Sequence, residues 1–133
     1  MNIIRDVKNL SVDEIEKLRE IPNNKFQLSE QVMHATYQEN NIEKLRYLKQ
    51  HFGLTLPNNG NYHIDWSTEN GDFYMVEFLV KECYCQPSTY AKQMAMVNEH
   101  VSLFDWLTQN VLNRTDMEYT YYDKETGLAI RIG

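Results

Sequence analysis

The stretch IDWSTENGDFYMVEFLV, residues 64–80, decides the fold. Apolar residues recur along it at helical spacing, yet its middle reads Glu69-Asn70-Gly71-Asp72, polar turn chemistry that ends one helix and starts another. Helix, break and helix in so few residues make a tight helical pair. The same pattern recurs on both sides. In HATYQENNIEKLRYLK from His34 and QMAMVNEHVSLFDWLT from Gln93, the turns Asn40-Asn41 and Glu99-His100 hold the place of Gly71-Asp72, with copies 31 and 28 residues apart.

After each turn the same four offsets are apolar. They are Ile42, Leu45, Tyr47 and Leu48; Phe73, Val76, Phe78 and Leu79; Val101, Phe104, Trp106 and Leu107. At about 100° per residue these offsets spread around most of a helix, which then needs neighbours on more than one side. Stacking against the preceding and following copies supplies them. The helix before each turn carries Thr36, Ser67 or Ala95 at one matching position, small residues that let two helices approach closely. In SVDEIEKL, Val12, Ile15 and Leu18 fill three of the four offsets, and Ser11 with Glu14 makes a capping box. This segment reads as an N-terminal capping helix.

These residues resemble the ankyrin repeat. DWSTENGDFYMVEFLV is similar to the Asn-Gly-His-Leu-Glu-x-Val-x-x-Leu-Leu core of that family, most of all to the abbreviated variants of amoebal organisms and their large DNA viruses. The resemblance covers about residues 30 to 112, and 11 to 20 more weakly; His34, Asp65 and Gln93 fall where the family places the His of Thr-Pro-Leu-His. No copy has the Thr-Pro start, and the family's β-hairpin finger is absent from KECYCQPSTY and distorted in HFGLTLPNNGNY. The resemblance implies a mainly α fold, an ankyrin-like stack of antiparallel helix pairs, and a concave face on which residues just before each turn contact a protein partner. Carried over one at a time, these are Gln38, Glu39, Glu69, Asn70, Val97 and Asn98.

After Asn113 the helical period stops and MEYTYYDKETGLAIRIG alternates instead. Tyr119 and Tyr121 share one face, Leu128, Ile130 and Ile132 another, and residues 123–127 are turn chemistry, so a β-hairpin is expected over 118–132. An isolated hairpin is marginal in water. It either folds back over Phe104, Trp106 and Leu112 as a cap, or pairs with a second chain through Tyr119, Tyr121, Tyr122, Ile130 and Ile132. The organisation expected is one domain over 1–133: capping helix and linker over 1–27, repeats over 28–57, 62–86 and 88–113, and a hairpin tail over 117–133.

Composition narrows the function. The net charge is −6 and the sequence pI about 5.2, with no cluster of Lys and Arg to meet phosphates, which argues against nucleic acid. The N-terminal residues meet a charge every few positions and no uncharged apolar run reaches spanning length, so neither a signal peptide nor a membrane partner is expected, and the chain reads as cytoplasmic. Cys83 and Cys85, one residue apart, suit reduced thiols rather than a mutual disulfide. His34, His51, His63 and His100 show no zinc spacing, and no phosphate loop or nucleophile elbow appears. No catalytic residue, metal or cofactor is expected. The function expected is a non-catalytic protein-binding module; the alternative is a structural protein that homodimerises through its C-terminal hairpin.

Overall fold

A computed structural model describes residues 3–21, 24–114, 121–122 and 125–130. The chain is mainly α-helical, as the period predicts. Its residues group into two compact units, Met1–Leu56 and Pro57–Gly133.

In the first unit, strand β1 (Ile3–Asp6) leads through a 3-10 turn (Val7–Asn9) into helix α1 (Val12–Arg19), followed by β2 (Asn24–Gln27), α2 (Glu30–Gln38) and α3 (Ile42–Phe52). The capping box starts α1 as expected: the Glu14 amide donates to Ser11 Oγ at 3.2 Å, and the Ser11 amide donates to Glu14 Oε1 at 3.3 Å. Ile15 is fully buried, with Val12 and Leu18 half-buried. A departure from expectation is that the linker includes β2, which pairs in parallel with β1, Ile3 opposite Asn24 through Asp6 opposite Gln27. Four-residue strands separated by a helix have no local turn to announce them, so the pairing is invisible to period and turn signals.

In the second unit, a 3-10 turn (Pro57–Gly60) precedes α4 (Asn61–Glu69), α5 (Phe73–Cys83), α6 (Thr89–Val97) and α7 (Val101–Asn110). α4 lies against both α5 and α6, and α6 against α7. Ile64, Met75, Val76, Leu79, Ala91, Ala95 and Leu107 are fully buried and form its core. The segments 53–56 and 84–87 contain no strand.

The three turns between paired helices are built alike. Asn40, Gly71 and Glu99 adopt left-handed conformations with φ of 56°, 73° and 66°. The next residue donates its amide back five positions, Asn41 to Thr36 at 3.3 Å, Asp72 to Ser67 at 3.0 Å, His100 to Ala95 at 2.8 Å. The left-handed residue donates back three, to Tyr37, Thr68 and Met96 at 2.8, 3.3 and 3.0 Å. This is a Schellman cap made three times, and it satisfies carbonyls that a helix end leaves without partners. The acceptors Thr36, Ser67 and Ala95 are the small positions of the repeat, and all three are buried. The next residue then caps the second helix: Asn41 accepts from the Lys44 amide at 3.1 Å and Asp72 from Met75 at 3.4 Å. Periodicity extends to the far end of the second helix, where Gly53 and Tyr84 are both left-handed and the following amides donate six residues back, Leu54 to Leu48 and Cys85 to Leu79.

Burial follows three of the four apolar offsets in two copies, where Ile42 and Phe73 at the first offset are half-buried, and departs from them in the third. Leu45, Tyr47, Leu48, Val76, Phe78 and Leu79 are buried, but in the last copy only Leu107 is; Phe104 and Trp106 are half-buried and Val101 is 50% exposed. In this third copy Lys92 Nζ lies over the Phe104 ring (5.3 Å) and Lys81 Nζ over the Trp106 ring (5.8 Å). A fifth offset, missed in sequence, is buried throughout: Met75, Leu103 and, in the first copy, Lys44. The Lys44 ammonium reaches the carbonyl of Lys8 at 3.0 Å.

The C-terminal strands β3 (Tyr121–Tyr122) and β4 (Ala129–Ile130) pair antiparallel over two rungs, Tyr121 with Ile130 and Tyr122 with Ala129. This is shorter than the hairpin read over 118–132, part of which lies outside the described residues. Its turn is tied to the start of the unit, Asn58 Nδ2 donating to the Gly127 carbonyl at 2.9 Å. Leu112, read as covered by a capping hairpin, is 79% exposed.

Candidate functional site

The Schellman turns place the residues before them at the ends of α2, α4 and α6. Gln38 and Glu39 are exposed at the end of α2, in the first unit. In the second unit the structure brings the other four together. Asn98 Nδ2 donates to the Glu69 carbonyl at 3.1 Å, linking the end of α6 to the end of α4, and Asn70 Nδ2 donates to the Trp66 carbonyl at 2.7 Å. Asn70 and Asn98 are exposed, Glu69 is half-buried, and Val97 is 69% exposed. Beside them Trp66 and Met96 are 40% and 45% exposed, so the strip carries more apolar surface than the six positions read from sequence. Trp66 and Met96 were missed because helical spacing assigns an aromatic or Met to the core by default.

The floor of this strip is closely packed. A Cβ on Gly71 would collide with the His100 imidazole, so the second turn seats directly on the third. Below it, Asp65 Oδ1 accepts from the Ser88 amide at 2.8 Å and Oδ2 accepts from Arg114 Nη2 at 2.7 Å. Arg114 also donates through Nη1 to the Gln86 carbonyl at 3.0 Å and through its amide to Pro87 at 2.8 Å. Asp65 sits at the His position of the ankyrin resemblance and here locks the third copy and the following segment to the second. Burial raises its carboxyl above the ordinary value, outweighing the lowering by Ser88 and Arg114. Burial also raises the Glu69 carboxyl, and the nearby Asp65 charge raises it further.

The residues read as self-associating are placed only in part. Tyr119 and Ile132 lie outside the described residues; Tyr121, Tyr122 and Ile130 lie in the two-rung pairing. Neither Cys83 nor Cys85 is in a disulfide. Cys85 is buried and donates to the Asn59 carbonyl at 3.4 Å, and its thiol is pushed up to about 12 by burial and then by Cys83, far from the range of a reactive thiolate. Among the described residues no three His, Cys, Asp or Glu side chains gather as a metal-binding group, and no helix is long and apolar enough to cross a membrane.

Comparison with protein-family models, curated proteins and solved structures gives no match.

Proposed function

We propose that this chain is a non-catalytic, cytoplasmic protein–protein interaction module built on an ankyrin-like stack of antiparallel helix pairs. The observation that carries the reading is the strip where Asn98 meets the Glu69 carbonyl: turns of one geometry align the ends of α4 and α6 and leave Val97 69% exposed beside Trp66. An apolar residue held that far out at a helix end contributes nothing to its own core, whereas aromatic and aliphatic side chains on a closely packed base are what protein partners anchor upon. The ankyrin resemblance places partner contacts at the same positions.

The test is capture of partners from cell extract on immobilised wild-type chain, on Val97→Asp, and on a chain ending at Asp116. An interaction module loses its partner in Val97→Asp with an unchanged melting curve and keeps it in the truncation. A structural protein assembling through its tail does the reverse, and light scattering then shows a dimer for the full chain and a monomer for the truncation.

A further inference from the structure

The charge around the strip specifies the chemistry of what docks there, if the binding-module reading holds. Between residues 57 and 114 there are seven carboxylates against three Lys or Arg. The three cations are already engaged: Arg114 on Asp65, Lys81 at 3.8 Å from Glu77 and over the Trp106 ring, and Lys92 over Phe104. Glu69 is different. It is half-buried, no described cation meets its carboxylate, and the charge that acts on it is that of Asp65, one helical turn earlier and of the same sign. A half-buried carboxylate in a negative field gains most from a cation brought from outside.

The apolar flanks match such a ligand. Trp66 precedes Glu69 by one helical turn, and Val97 adjoins Asn98, whose side chain is bonded to the Glu69 carbonyl. We infer that this strip seats a basic side chain of a partner peptide, a Lys or Arg whose charged head meets Glu69 while its aliphatic stem lies along Trp66 and Val97. Long basic side chains bury their stems on apolar surface and keep the head at a polar site, and a Trp face adds cation–π attraction. The exposed Glu99 within the third turn extends the same preference to a neighbouring residue of the peptide. An acidic peptide meets repulsion at each of these points.

The experiment is selection of a random linear-peptide display library on the full chain, with parallel selections on Glu69→Gln, Val97→Asp and, as a distant acidic control, Glu77→Gln. Melting curves by circular dichroism establish that each variant is folded. The expected result is enrichment of peptides with Lys or Arg beside apolar residues on wild type and Glu77→Gln. On Glu69→Gln the basic position is lost while the apolar ones persist, and the best wild-type peptide binds about tenfold more weakly. Enrichment without a basic position, enrichment unchanged on Glu69→Gln, or no enrichment at all overturns the inference. If the peptides lack a basic position but are lost on Val97→Asp, the inference fails and the binding module stands. If no peptide is enriched and partner capture also ignores Val97→Asp, both fail.

Discussion

Arg114 donates to the Asp65 carboxylate at 2.7 Å across 49 residues of sequence, and this contact ties the segment after α7 to the middle of α4. Both side chains are mostly covered, with 13% and 17% exposure, so neither group can exchange its partner for water at little cost. Replacing Arg114 by Met leaves the carboxylate buried without its counter-charge. The expected loss in a urea melt at neutral pH is about 3 kcal/mol, shrinking in acid where Asp65 becomes protonated. A loss below about 1 kcal/mol would mean that the pair is solvated.

The same site carries a pH dependence whose sign follows from burial. Because the folded-state value of Asp65 is raised, its contribution is fully present below the unfolded value and is lost as pH rises through the folded one. The stability of the wild type relative to Asp65→Asn should therefore fall from acid to neutral pH in urea titrations. A difference that grows with pH would show that the ion pair outweighs desolvation.

Leu79 and Val101 test whether stability follows burial rather than the apolar offset alone. Leu79 is fully buried, so Leu79→Ala should cost about 2–5 kcal/mol in a denaturant melt. Val101 holds an apolar offset of the last copy but is half exposed, and Val101→Ala should change stability by less than about 0.5 kcal/mol.

The left-handed turn residues respond in opposite directions. Glu99 is held at φ 66°, where a side chain is strained, so Glu99→Gly should raise stability by about 0.5–1 kcal/mol. Gly71→Ala should destabilise twice over, through its φ of 73° and through collision with His100. In the double variant with His100→Ala the steric part disappears and the backbone part of about 1 kcal/mol remains, a coupling that thermal melts resolve.

Thiol labelling separates the two cysteines. With its thiol near 12 and 5% exposure, Cys85 should react with iodoacetamide far more slowly than half-exposed Cys83 at mildly alkaline pH, as peptide mass mapping would read out. Equal rates would show that the 84–88 segment opens.

The sequence alone was enough for the helix pairs and their turns. Caps, left-handed residues and amide-to-carbonyl bonds such as His100 to Ala95 close within six residues, so the local chain carries all the information they need. The candidate positions Glu69, Asn70, Val97 and Asn98 were legible for the same reason, each being fixed by its distance from a turn. What tertiary structure alone decided lies farther apart along the chain. The parallel pairing of Ile3–Asp6 with Asn24–Gln27, Lys44 reaching Lys8, Asp65 meeting Arg114 and Asn98 joining Glu69 each depend on which surfaces meet after collapse. Periodicity says that a face is apolar, but not what will cover it. That is why Lys44 could be buried where Met75 and Leu103 are, and why Val101 and Trp66 could remain at the surface.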